Sequence, residues 1–274
     1  MVGKYRFKVV IYTLAAALFL LALAGDGTDL LNYFWEERPE RTVETAFEVT
    51  SVRTERVLME GTEWETVLYK ISSPTEGPTV MIIGGIHGNE PAGFKAADTM
   101  KNWAIDRGTL LVLPRANVPA IEARSRRAPS DGLDLNRTFP GDADGTGTEI
   151  MASVIVSLME EFEPDWVIDL HEASNFERNV PGSLGQTLIY PRNADALDVV
   201  EKLKKAVNRT ILNKDHHFLI IRGGTTGTLI NEAHTSGYEA IITETVTKMP
   251  MEDRIHFQQQ IVTSLLYILG ITIY

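Results

Sequence analysis

TVMIIGGIHGNEP, residues 79–91, sets the architecture of this chain. After its leading threonine the run to Ile83 is uninterrupted apolar sequence, the pattern of a short strand buried on both faces. Gly84 and Gly85 then allow a sharp turn, and Pro91 suits the first turn of a following helix. A strand opening through glycines into a helix is one unit of an α/β fold. It also places His87 and Glu90, three residues apart, where both side chains can point at one spot.

Working outward, three more short apolar runs match the first: Thr109 to Leu113 (TLLVL), Trp166 to Leu170 (WVIDL) and Ala240 to Thr243 (AIIT). Helical patterns lie between and after them, at Pro91 to Trp103, Glu149 to Phe162, Ala196 to Leu212 and Phe257 to Leu269. Looser alternation over Ala46 to Arg53 and Thr66 to Ile71 predicts a hairpin at a sheet edge. Together these predict an α/β fold with a mixed, largely parallel sheet flanked by helices on both faces. Such sheets bind ligands at the carboxyl ends of their strands. The expected organisation is a signal peptide or N-terminal membrane anchor over 1–24, a linker over 25–45, and a single catalytic domain over 46–274.

The composition is that of an ordinary globular protein, 44% hydrophobic and 23% charged. A formal net charge of -11 opposes nucleic-acid binding, which needs clustered cations and a positive field. The chain has no cysteine, so disulfides, thiolate metal sites and a cysteine nucleophile are excluded, and any metal must be held by His, Asp or Glu. At the N-terminus, Lys4, Arg6 and Lys8 precede an uncharged run from Val9 to Ala24 that ends Ala22-Leu23-Ala24, the small-residue pattern of a signal-peptidase site. This predicts export to the outer face of the cytoplasmic membrane or beyond. The run is slightly short for a permanent span, but attachment through residues 9–24 is a second possibility.

Three further clusters carry chemistry. His171 follows the strand WVIDL, at the carboxyl edge where His87 and Glu90 also fall. Taken singly, a histidine there is more often a rim residue, and HxxE alone arises by chance. Together, two histidines and one glutamate form a catalytic zinc shell with a position left for water. Glu172 is the rival ligand, but its carboxylate points to the other side of an extended chain. Asn136 and Arg137, within DLNRTFPG and preceded by Arg124, Arg126 and Arg127, suit a clamp on a substrate carboxylate, because a guanidinium matches it in bidentate fashion. The plainer alternative is a solvated loop with a structural Arg–Asp pair. Glu244 ends the strand AIIT, where an acid is costly to bury without a reason. Beside a metal it can take a proton from water as general base; otherwise it is a capping or salt-bridged glutamate.

In order, GGIHGNEPAG, DLNRTFPG, IDLHEA and ITET resemble the zinc carboxypeptidase superfamily, and within it the succinylglutamate desuccinylase and aspartoacylase branch. The resemblance spans about Thr79 to Thr245. It implies the zinc carboxypeptidase, phosphorylase-hydrolase-like fold and one zinc ion held by His87, Glu90 and His171. It further implies carboxylate binding by Asn136 and Arg137, general base catalysis by Glu244, and Arg127 as the arginine that polarises the scissile carbonyl, with Arg126 its neighbour and rival. Two departures stand out. Thirty residues follow Glu244, room for one closing helix where aspartoacylase-type deacylases carry a β-rich domain. The covering tyrosine of digestive carboxypeptidases has no counterpart, since residues 219–228 hold a Gly-rich turn at Arg222 to Gly227.

The expected activity is hydrolysis of an amide in a small peptide or N-acyl amino acid bearing a free carboxylate. An export signal favours peptides or cell-wall stem peptides. The rival class is a catalytically inactive surface module that binds peptide or metal, which the joint presence of ligands and base opposes.

Overall fold

The computed structural model describes residues 51–191 and 196–274. Its strands are β1 (Val52–Leu58), β2 (Thr66–Ser72), β3 (Thr79–Gly84), β4 (Thr109–Leu113), β5 (Trp166–Ala173), β6 (Asn175–Phe176), β7 (Leu184–Gly185), β8 (Thr187–Pro191), β9 (Leu219–Gly223) and β10 (Glu239–Val246). The α-helices are α1 (Pro91–Met100), α2 (Val118–Glu122), α3 (Gly147–Phe162), α4 (Leu197–Asn208), α5 (Leu229–Thr235) and α6 (Met251–Ile268).

Eight strands form one sheet in the order β1-β2-β4-β3-β5-β10-β8-β9, and β6 pairs separately with β7. The central four, β4, β3, β5 and β10, are mutually parallel. Antiparallel pairing joins β1 to β2, β2 to β4 and β8 to β10. The sheet is therefore mixed and largely parallel at its centre, as the four apolar runs predicted.

Strand β3 shows why. Val80 and Ile82 pack into one core with Ala96 and Ala97 of α1, Val200 and Leu203 of α4, and Val262 and Leu265 of α6. Met81 and Ile83 pack into the opposite core with Met151 and Ile155 of α3 and Ile230 of α5. All four strand side chains are fully buried, and each such burial contributes about 1.5–3 kcal/mol. Helices thus cover both faces. The start of α3 is fixed locally: the Glu149 carboxylate accepts the Thr146 backbone N–H at 2.8 Å, half of a capping box.

Several boundaries differ from the sequence reading. The first hairpin strand runs over Val52–Leu58 and overlaps the predicted Ala46 to Arg53 at Val52 and Arg53, residues 46–50 lying outside the described residues; all but its last side chain are exposed, so hydrophobic alternation was no guide to its far end. Helix α6 starts at Met251, after Pro250, six residues before the predicted Phe257. Strands β8 and β9 were not predicted. Among the described residues no helix is long and apolar enough to cross a membrane. The predicted signal or anchor segment, and the linker over 25–45, lie outside the described residues.

Candidate active site

Three neighbouring parallel strands deliver the predicted metal ligands and base to one edge. Chain leaving β3 turns through Gly85, at φ 74°, and presents His87 and then Glu90 at the start of α1. Gly88, between them, is forced by space, because a Cβ there would lie 1.9 Å from the Ala120 carbonyl oxygen of α2. His171 lies in β5 and Glu244 in β10, and the two are register partners. Alternation along these strands aims both at the same side.

His87, Glu90 and His171 are buried and each offers a ligand atom within 4.8 Å of the others. The Glu90 carboxylate lies between the imidazoles, Oε1 2.7 Å from His87 Nδ1 and Oε2 2.8 Å from His171 Nδ1. On the far sides of the rings, His87 Nε2 meets Asp134 Oδ1 at 3.0 Å and His171 Nε2 meets Asp169 Oδ2 at 2.7 Å. Each ring thus turns its Nε2 to an outer carboxylate and its Nδ1 inward to Glu90. This is the outer-shell pattern that fixes the tautomer of a metal-binding histidine.

The charges tell the same story. Four buried carboxylates, Glu90, Asp134, Asp169 and Glu244, surround two imidazoles, and Asp169 Oδ1 and Glu244 Oε2 are buried without a hydrogen-bond partner. Burial opposes ionisation of Glu90, yet the His171 and His87 rings hold it well below the usual carboxylate range. Burial likewise opposes charge on His171, and Asp169 and Glu90 outweigh it to raise that imidazole well above its usual value. Such a pocket attracts positive charge. Its inward donor set of two nitrogens and one carboxylate fits a divalent cation, zinc above all.

Glu244 differs from Glu90. Burial pushes its carboxyl well above the usual range; His171 pulls the other way, and the charges of Glu90 and Asp169 add to the rise. A carboxylate ready to accept a proton beside a cation site is suited to general base work.

The DLNR loop forms the next wall. Asn136 is buried; its Oδ1 accepts the Leu229 N–H at 2.9 Å and its Nδ2 lies 3.2 Å from His171 Nε2. Arg137 is exposed, lines the cleft, and pairs with no carboxylate among the described residues. Its backbone is clasped by the Gly-rich turn, since Gly227 sits at φ 88° and a Cβ there would approach the Arg137 carbonyl oxygen to 2.5 Å.

One prediction moves. Arg126, not Arg127, enters the cleft: its Nε donates to Asp134 Oδ2 at 3.0 Å and its Nη1 lies 3.5 Å from Glu90 Oε1. Arg127 is exposed and only reaches the Gly132 carbonyl oxygen at 3.4 Å. The cause is local. Neighbouring side chains in this irregular segment diverge, and the buried Asp134 and Glu90 attract the first guanidinium inward. Glu172 turns to the opposite face, where it contacts the Ala92 N–H and Arg254. The sequence reading gave Asp169 no role and saw in Asp134 at most a partner in a structural Arg–Asp pair, which it does form with Arg126. For Asp169 a signal existed, since a residue two before His171 on a strand shares its face.

The site opens into a cavity of about 610 Å³. Arg126, Asn136 and Arg137 give it a polar wall, while Ile189, Ile221 and Ile242 of β8, β9 and β10 give it an apolar one.

Residues 76–244 match the family model of the succinylglutamate desuccinylase/aspartoacylase catalytic domain. The chain is 36% identical over 116 residues to the N-alpha-acetyl-L-2,4-diaminobutyric acid deacetylase of Halomonas elongata, covering 41% of this chain and 34% of that one. Among solved structures, it resembles the mDAP-bound form of Helicobacter pylori Csd4, a D,L-carboxypeptidase, with a TM-score of 0.64 at 22% identity over 72% of this chain and 52% of that one. It also resembles a succinylglutamate desuccinylase/aspartoacylase from Rhodobacter sphaeroides, with a TM-score of 0.63 at 21% identity over 80% and 66% of the two chains. The chain therefore spans about a third of the deacetylase and about half of Csd4.

Proposed function

The chain belongs to the succinylglutamate desuccinylase/aspartoacylase family of amide hydrolases, and on that premise we propose that it is a zinc-dependent hydrolase of small amide substrates bearing a free carboxylate, either N-acyl amino acids or short peptides. The observation that carries this is the inward convergence of His87 Nδ1, His171 Nδ1 and Glu90, with both Nε2 atoms tied off by aspartates and Glu244 beside them. The names of the Halomonas deacetylase and the Helicobacter D,L-carboxypeptidase support the reaction class.

Zinc held by His87, Glu90 and His171 would supply Lewis acidity and lower the pKa of water at the site. Arg137, exposed in the cleft and without a carboxylate partner among the described residues, binds the substrate carboxylate, with Asn136 ordering the same wall. Arg126, steadied by Asp134, donates to the carbonyl oxygen as negative charge develops there. Glu244 takes the proton from the attacking water and passes it to the departing amine nitrogen, so the C–N bond breaks without releasing an amide anion. The inactive-module reading is opposed by the joint presence, at one strand edge, of three converging ligands and Glu244 as the register partner of His171. The cationic start and apolar run at residues 4–24 support action outside the cytoplasmic membrane.

The test is hydrolysis by the zinc-loaded protein of N-blocked dipeptides, stem-peptide fragments and N-acyl amino acids, with chelator and Glu244→Gln controls. We expect chelator-sensitive turnover on at least one class, and Glu244→Gln to retain zinc while kcat falls by about 10²- to 10⁴-fold. Full activity in Glu244→Gln would overturn the mechanism. Release of a C-terminal amino acid identifies a carboxypeptidase, and acyl release alone a deacylase.

A further inference from the structure

The sheet face turned away from the cleft carries buried polar side chains that the mechanism leaves unused. Alternation puts Glu172 there on β5, and Thr243 and Thr245 on β10. Each is next in sequence to His171 or Glu244, and Thr245 is the register partner of Glu172. The Glu172 side chain is wholly buried. It accepts the Ala92 N–H at 2.7 Å, two residues beyond Glu90, and pairs with Arg254 Nη1 of α6 at 2.6 Å.

One turn further along α6 lies Gln258, also fully buried. Its Nε2 donates to the His171 carbonyl oxygen at 2.8 Å and lies 3.4 Å from Thr245 Oγ1, while its Oε1 accepts from the Thr243 hydroxyl. One stripe of one helix therefore reaches three of the four residues assigned to the metal and the base, directly or through a nearby residue: Glu90 through Ala92, His171 through its own carbonyl and Glu172, and Glu244 through both flanking threonines.

Stability does not explain this stripe. A buried carboxylate–guanidinium pair gains little over well-packed apolar residues, because desolvation offsets the attraction, and here Arg254 Nε is left without a partner. The rest of the α6 face against the sheet is apolar, with Ile261, Val262 and Leu265. What the polar groups add is direction, since they hold particular backbone atoms where apolar packing would allow sliding. Resting on the zinc-hydrolase reading, we propose that Arg254 and Gln258 are positioning residues that hold Glu90, His171 and Glu244 in their working arrangement from behind the sheet.

The test uses the full chain and three readouts: zinc affinity by competition with a chromophoric chelator, kcat and KM on whichever N-blocked dipeptide, stem-peptide fragment or N-acyl amino acid the wild type hydrolyses, and thermal unfolding. Arg254→Met alone strands the buried Glu172 charge, so the informative variant is Glu172→Met/Arg254→Met, which removes both charges. The double variant is expected to unfold cooperatively, to bind zinc about 10- to 100-fold more weakly, and to lose kcat with little change in KM. Arg254→Lys should recover most of the zinc affinity. Gln258→Met, which leaves the ion pair intact, should lower kcat about 10-fold and zinc affinity less. A double variant with the zinc affinity and kcat of the wild type overturns the proposal, whatever its unfolding temperature. Should that variant not fold, Gln258→Met decides, and wild-type kcat in it is the overturning result. If the wild type binds zinc but hydrolyses nothing, the hydrolase reading fails while zinc affinity still tests the positioning; a wild type that takes up no zinc removes both.

Discussion

Replacing Arg126 by methionine keeps most of the aliphatic stem and deletes the guanidinium that faces the cleft. Loss of one preorganised donor to a developing oxyanion costs about 10²- to 10³-fold in kcat, or about 2.7–4 kcal/mol. The Arg126 side chain is 44% exposed, so water partly replaces it, and the lower end, about 10²-fold, is expected. Zinc uptake should survive, because Asp134 keeps its contacts with His87 Nε2 at 3.0 Å and the Asn136 N–H at 3.1 Å. The control is Arg127→Met. That guanidinium is exposed and holds only a 3.4 Å contact to Gly132, so a change within the ordinary scatter of a surface substitution, about 0.5 kcal/mol, is expected. The assay is kcat and KM at verified zinc stoichiometry for both variants beside the wild type. Equal losses in the two variants, or none in Arg126→Met, would refute the assignment.

Other consequences can be measured directly. Stripping the metal should lower the unfolding temperature: at a free zinc concentration 1,000 times Kd the bound ion contributes about 4 kcal/mol, or about 8–16 °C for a domain of this size, and an unchanged melt would contradict binding at His87, Glu90 and His171. The pH profile has a predicted sign. Only ionised Glu244 accepts a proton; burial raises its pKa and a bound cation opposes that rise, so kcat/KM should be full at higher pH and fall as pH drops through the Glu244 pKa; an acid limb that persists unchanged in Glu244→Gln speaks against Glu244 as base. Gly227→Ala places a Cβ 2.5 Å from the Arg137 carbonyl oxygen at a φ of 88°. It should cost roughly 1–3 kcal/mol in strain and raise KM more than it lowers kcat, as steady-state kinetics would show.

The central sheet could be read from the sequence because strands buried on both faces leave uninterrupted apolar runs, as TVMII and TLLVL do. Strands β8 and β9 escaped. Residues 219–228 were read as holding a Gly-rich turn at Arg222 to Gly227, and the five-residue run TLIYP was assigned to no element. His87, Glu90, His171 and Glu244 were legible because each follows one of the apolar runs, and strand ends converge in this class of sheet. Arg126 and Arg127 were not separable, since adjacent loop residues carry no periodic signal and only the attraction of Asp134 and Glu90 distinguishes them. Arg254 fell before the predicted helix start, although Pro250 with Glu252 and Asp253 behind it is a recognisable N-terminal signal.

Strands β8 and β9 also bear on how such a protein changes over time. They hang on the outer edge of β10 through the register pairs Ile242–Ile189, Thr243–Leu188 and Glu244–Thr187, while His87, Glu90, His171 and Glu244 sit at the end of the parallel centre. Two of the three apolar wall residues, Ile189 and Ile221, thus belong to an annex beside the edge that carries the candidate ligands. On the proposed hydrolase reading, selectivity and reactivity can then be inherited separately: Ile189 and Ile221 can be exchanged to admit new side chains, and an engineer can graft a different annex, without replacing the candidate ligands and base.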